Sequence, residues 1–180
     1  MNEFVYKLNL PPLLEILLDS AKDTLFNTKN NLAYFYVNTD CVKPEWLQFN
    51  NYNWNSILLF YKNNSSGLIH IDGKNSIDPL EQPTWGINWI HGGQGVMDYW
   101  NMEDVLPPTF NPNGPKDRII CHPMRESSRT YHMSEGAYLV NASFPHKASG
   151  NAGRYAFSLR DTTSTDSWDT VVNNFKQYII

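Results

Sequence analysis

Leu68-Ile69-His70-Ile71-Asp72-Gly73 is a short run of branched and aliphatic residues closed by a glycine, the signature of a β-strand that stops at a turn. It is one of about eight such runs between Asn31 and Arg160. The others are Leu32 to Val37, Ser56 to Tyr61, Trp85 to Ile90, Val96 to Trp100, Arg118 to Cys121, Ala137 to Ser143 and Arg154 to Leu159, separated by Asn, Gly and Pro. Helical spacing returns only at the two ends. Leu14, Leu17, Leu18, Ala21 and Leu25 form an amphipathic stripe that predicts a helix over Pro12 to Phe26, with Pro11-Pro12 at its start. Trp168, Val171, Val172, Phe175 and Ile179 predict a short closing helix capped near Thr165-Asp166.

Many short strands with no crossover helices between them argue for a mainly β, antiparallel sandwich or barrel, and a jelly roll fits the strand count. The expected organisation is one domain: an N-terminal helical segment over 1–30, a β core over 31–160 and a C-terminal helix over 161–180. The end helices are expected to cover the outer face of one sheet. Asn101 to Lys116, with Pro107-Pro108, Pro112 and Gly114-Pro115, is too proline-rich for a central strand and reads as a loop over the site.

Composition narrows the function classes. The 180 residues are 41% hydrophobic and 18% charged, which excludes a disordered or coiled-coil chain. The net charge is −4 and no Lys/Arg block occurs, so binding nucleic acid through phosphate neutralisation is not expected. The 2 cysteines, Cys41 and Cys121, have neither a disulfide framework nor zinc spacing and are expected as free thiols. No run is long and apolar enough for a signal or a membrane span, which gives a cytoplasmic location as the expectation.

Side chains alternate along a strand, so His70 and Asp72 point to one side and form a ready pair of metal ligands. His146, after Pro145 and just beyond the run Ala137 to Ser143, is the candidate third ligand, provided the fold brings the two strands together. Two histidines and a carboxylate are the facial set that holds non-haem Fe(II) with open positions. Farther on, Arg154, Ala156, Ser158 and Arg160 share one strand face, and a rigid guanidinium there can grip a carboxylate bidentately. By contrast, His91, His122 and His132 have neither an alternating carboxylate nor a paired histidine. The aromatic residues Trp85, Trp89, Tyr99 and Trp100 read as sheet core rather than as a substrate cage.

The order His70-x-Asp72, then a distal His146, then Arg154 opening the last strand resembles the 2-oxoglutarate/Fe(II)-dependent oxygenases. Within that superfamily, Trp85-Gly86-Ile87-Asn88-Trp89-Ile90 and the segment from Pro145-His146 to Ser158-Leu159-Arg160 look like the small aspartyl/asparaginyl β-hydroxylase-like members. The resemblance spans roughly Ile57 to Arg160. It implies a double-stranded β-helix, the cupin-like form of the jelly roll, with His70, Asp72 and His146 binding Fe(II) and with 2-oxoglutarate as cosubstrate. It also implies Arg154 on the distal carboxylate, and Asn88, Ser158, Trp85 and Trp100 in the pocket. The implied activity is hydroxylation of an amino-acid side chain, free or in a peptide, with release of succinate and CO2. Two departures stand out: Asp72 is present where that branch can lack the carboxylate, and the spacing from His146 to Arg154 is short, which keeps Arg160 as the alternative. Two other readings stay open, a cupin-like metal enzyme that does not use 2-oxoglutarate and a non-catalytic jelly-roll binding module.

Overall fold

The computed structural model describes residues 4–22, 34–62, 68–72, 84–107, 109–110, 118–150 and 153–180. Among the described residues, twelve strands make two six-stranded sheets. They are β1 (Val5–Leu8), β2 (Tyr34–Val37), β3 (Ser56–Lys62), β4 (His70–Asp72), β5 (Trp85–His91), β6 (Gly95–Tyr99), β7 (Thr109–Phe110), β8 (Arg118–Ile120), β9 (Arg129–Met133), β10 (Gly136–Asn141), β11 (His146–Gly150) and β12 (Arg154–Arg160). The first sheet runs β1-β10-β5-β12-β3-β2 and the second β7-β8-β4-β11-β6-β9.

Nested antiparallel pairing gives the fold away. β6 pairs with β9, β5 with β10, β4 with β11 and β3 with β12. These are the rungs of one long hairpin, and its rungs fall alternately in the two sheets, so the hairpin is wound on itself as a jelly roll, a double-stranded β-helix. Strand alternation then divides the first sheet's side chains between two faces. Ile57, Leu59, Trp85, Ile87, Trp89, Leu139, Phe157 and Leu159 form the outer face, all buried. On it lie Leu13 and Ile16 from helix α1 (Leu13–Ile16) and Val171 and Phe175 from helix α3 (Trp168–Phe175). A further short helix, α2 (Pro44–Leu47), contributes Trp46 and Leu47 to the edge of the same cluster. Each such large side chain withdrawn from water contributes on the order of 1.5–3 kcal/mol. The end helices therefore cover the outer face of one sheet, as expected.

The N-terminal helix is shorter than its stripe predicts. After one turn, Leu17 is extended, with φ −86° and ψ 149°, and bridges to Val42. Residues 19–22 are helical again, and the remainder of the predicted helix lies outside the described residues. The break lets Ile16 and Leu17, neighbours in sequence, both reach full burial, which the rotation between consecutive helical residues opposes. At the other end, α3 starts at Ser167, whose Oγ accepts from the backbone N–H of Thr170, rather than at Thr165-Asp166.

Strands β1, β7, β9 and β11 fall outside the predicted runs. β9 reads Arg-Thr-Tyr-His-Met and β11 His-Lys-Ala-Ser-Gly, both low in the branched residues that mark strands; β1 and the two-residue β7 are too short to stand out. The expectation of a loop over Asn101 to Lys116 is corrected by β7, which follows Pro107-Pro108. Proline excludes a central strand, and β7 sits at a sheet edge. Residues 111–117 of that stretch lie outside the described residues. Cys41 and Cys121 are free and buried, and burial pushes both thiols up to about 11.

Candidate metal centre

His70 on β4 and His146 on β11 are direct register partners across the second sheet. Their rings stand 4.5 Å apart, centroid to centroid. Alternation along β4 turns Asp72 to the same side as His70. Asp72 Oδ1 lies 3.3 Å from His70 Nε2, and Asp72 Oδ2 lies 3.9 Å from His146 Nε2. One ligand atom from each residue falls within 4.8 Å of the others, which makes a set able to hold a metal ion. Among the described residues this is the one cluster of its kind.

The local backbone aims the donors. His70 Nδ1 lies 2.8 Å from the Leu68 carbonyl oxygen and His146 Nδ1 lies 2.9 Å from that of Phe144. A carbonyl oxygen only accepts, so each Nδ1–H is the donor of its contact and each Nε2 is turned towards the centre. Burial drives the His146 imidazole down to about 3, helped by the neighbouring His70, so the ring is neutral near pH 7. Burial opposes charge on Asp72 as well, yet Arg160 and the two histidines outweigh it and hold the carboxyl well below its usual range. A neutral imidazole and an ionised carboxylate are the forms a divalent cation requires, so the donor set fits a metal.

Strand β12 supplies the cationic groups. Its alternation places Arg154, Ala156, Ser158 and Arg160 on the inner face, as the sequence predicts, and all four line the same cleft as the triad. Arg160 closes on the triad, its Nη2 donating to Asp72 Oδ2 at 2.5 Å and its Nε to Ser158 Oγ at 3.3 Å. Arg154 lies at the other end. It is only 2% exposed and donates from Nη1 to the Ser149 carbonyl at 2.9 Å, while its Nε is buried with no hydrogen-bond partner. Ser149 is three residues beyond His146 on β11, about 10 Å along a strand.

Between the two arginines runs a cleft of about 590 Å³, its open mouth included. Small residues make room for it: Gly86, Ala142, Ala148 and Ala156, with Met97 and Val140 adding apolar wall. Asn88 and Ser158, register partners on β5 and β12, line it. Trp85 does not. It stands on the opposite face of β5, against Tyr52 and Trp54 in the outer core, because an odd step along the strand reverses the side. Trp100 likewise packs with Ile71 and Val105 in a separate cluster, so both tryptophans are corrected out of the pocket. Trp89 and Tyr99 are core, and His91 pairs with Glu135 on the surface.

The sequence reading missed the contact of Arg160 with Asp72 and the run of small residues flooring the cleft. A signal for the latter exists: Ala148 and Gly150 on β11 and Gly86 on β5 recur at the inward-facing parity.

No protein-family model matches the chain, and no curated protein matches it. Solved structures give loose likenesses. One is ycfD from E. coli, at TM-score 0.36 and 11% identity over 68% of this chain and 28% of that one. A recombinant oxalate oxidase in complex with glycolate gives TM-score 0.25 and 10% identity, covering 78% of this chain and 56% of its own. Another oxalate oxidase structure gives TM-score 0.25 and 10% identity over 90% and 76%. This chain thus spans little more than a quarter of the first and about half of the second, and the fold assignment stands on the strand order. Among the described residues no helix is long and apolar enough to cross a membrane.

Proposed function

We propose that the chain is a non-haem Fe(II)- and 2-oxoglutarate-dependent oxygenase that hydroxylates an amino-acid side chain, free or within a peptide, releasing succinate and CO2. One observation carries this reading: a two-histidine, one-carboxylate set and a buried arginine occupy opposite ends of a single cleft. His70, Asp72 and His146 serve as the metal ligands and leave coordination positions open. Arg154 takes the distal carboxylate of the keto acid. Its unpartnered Nε and near-complete burial support that role, because a desolvated guanidinium gains most from an anion. Arg160 is already paired with Asp72, which leaves Arg154, among the described residues, as the arginine of the cleft without a carboxylate partner.

With Fe(II) held by His70, Asp72 and His146 and 2-oxoglutarate as the reductant, dioxygen would be the oxidant, one of its oxygen atoms going to the substrate as hydroxyl and the other to succinate. The chain's own share is orientation and exclusion of water. The two Nδ1–H contacts fix the imidazoles, Arg160 fixes the carboxylate, and Met97, Val140, Ala148 and Ala156 keep the cleft apolar. Asn88 and Ser158 offer polar contacts to the keto acid.

Calorimetric titration tests this reading. 2-Oxoglutarate should bind the Mn(II)-loaded protein far more tightly than the metal-free protein, and Arg154→Ala should weaken its binding to the Mn(II)-loaded form. Binding of metal with no enhancement by 2-oxoglutarate would overturn the reading in favour of a metal enzyme that acts without the keto acid.

A further inference from the structure

Gly95 on β6 and Gly150 on β11 are register partners, so two glycines face each other across adjacent strands of the second sheet. Glycine weakens a strand, since it costs backbone entropy and has no side chain to pack. Neither residue has the positive φ that would call for glycine; among the described glycines, Gly92, Gly136 and Gly153 do. The reason for glycine here is space. A Cβ on Gly95 would lie 2.2 Å from Cζ of Arg154 and 2.6 Å from its Nε and Nη1. A Cβ on Gly150 would lie 2.7 Å from Cδ and 2.8 Å from Nη1 of the same arginine. The guanidinium lies across the two glycines, pinned by the Ser149 carbonyl.

We propose that Gly95 and Gly150 are positioning residues that seat the Arg154 guanidinium at the depth where it meets the far carboxylate of the cosubstrate. The inference rests on the 2-oxoglutarate reading above. Any side chain at Gly95 pushes the guanidinium out of its seat and into the cleft, shortening the space between it and the metal ligands. The atoms displaced are the end of a flexible side chain, so the cost falls on ligand affinity and little of it on folding. At Gly150 an added Cβ would also meet the Gln94 carbonyl oxygen at 2.9 Å, a backbone clash, which makes Gly95 the cleaner position.

The test is a double-mutant cycle on the Mn(II)-loaded protein, reading the 2-oxoglutarate dissociation constant by calorimetry. Gly95→Ala should weaken 2-oxoglutarate roughly 10- to 100-fold, the range expected when a binding group is displaced by about 1 Å. Its Mn(II) affinity and thermal midpoint should stay at wild-type values. In the Arg154→Lys background, where the bulky planar head is gone, Gly95→Ala should add almost no further loss. An unchanged constant in Gly95→Ala, an equal loss in both backgrounds, or a large drop in thermal midpoint would each overturn the inference alone. Failure of the wild-type protein to bind 2-oxoglutarate would overturn the functional reading and this inference with it.

Discussion

The Arg160 guanidinium holds Oδ2 of Asp72 at 2.5 Å, so the carboxylate facing His70 and His146 carries its own counter-charge within the protein. Asp72 is almost fully buried, and a buried carboxylate without such a partner is costly.

Replacing Arg160 by Met should therefore lower the stability of the metal-free protein by about 3–5 kcal/mol, the usual cost of removing one member of a buried pair. A divalent cation supplies a replacement charge. Saturating Mn(II) should then stabilise Arg160→Met more than it stabilises the wild type. Urea unfolding with and without Mn(II) measures both effects, and equal stability of the two metal-free proteins would show that the ion pair is inert.

Arg154 and Arg160 should separate cleanly in ligand binding. Losing one charge-assisted contact costs about 1.5–3 kcal/mol, or roughly a 10- to 150-fold weaker constant. Arg154→Ala should show that loss for 2-oxoglutarate with Mn(II) affinity unchanged. Arg160→Ala should mainly perturb the metal. Calorimetry with each ligand in turn reads the pattern, and the reverse pattern would exchange the two roles.

Much of this was legible in the sequence because strand parity is a rigid rule. His70 with Asp72, and Arg154 with Arg160, share faces in the sequence and in the structure alike. The same rule, applied to β5, would have placed Trp85 opposite Asn88, and its neglect accounts for the error. What parity cannot give is the partner across a sheet. The pairing of His70 with His146 depends on the winding of the long hairpin, and β11 carries little strand propensity to announce it. The broken N-terminal helix was hidden for a related reason, since the stripe reports which residues are buried and not whether the backbone stays helical between them.

Trp85→Phe should separate core from pocket. Trp85 is 1% exposed in the outer aromatic cluster, so the smaller ring should cost about 1–2 kcal/mol of stability. Metal and 2-oxoglutarate affinities should not change. A selective loss of 2-oxoglutarate binding in this variant would put Trp85 back at the cleft.

Asp161 offers a pH-dependent prediction away from the site. Its carboxylate accepts from the backbone N–H groups of Asn53, Thr163 and Ser164 and from the Thr163 hydroxyl. Burial works against the charge, yet these bonds outweigh it and hold the group below the usual carboxylate value. A depressed folded value means the contribution is present above the unfolded value of about 4 and disappears as the pH falls through the folded one. Asp161→Ala should cost about 2–4 kcal/mol at pH 7, and the gap to wild type should shrink below pH 4. Urea unfolding across that range measures it, and a gap that widens on acidification would contradict the assignment.

Anaerobic titration with Fe(II) and then 2-oxoglutarate, followed by visible absorption, tests metal and cosubstrate together. Chelation of iron by the keto acid at His70, Asp72 and His146 should produce a weak charge-transfer band that is absent with either ligand alone and lost in His146→Ala. Tight Fe(II) binding with no band would contradict 2-oxoglutarate as the cosubstrate, and no Fe(II) binding would contradict the metal centre itself.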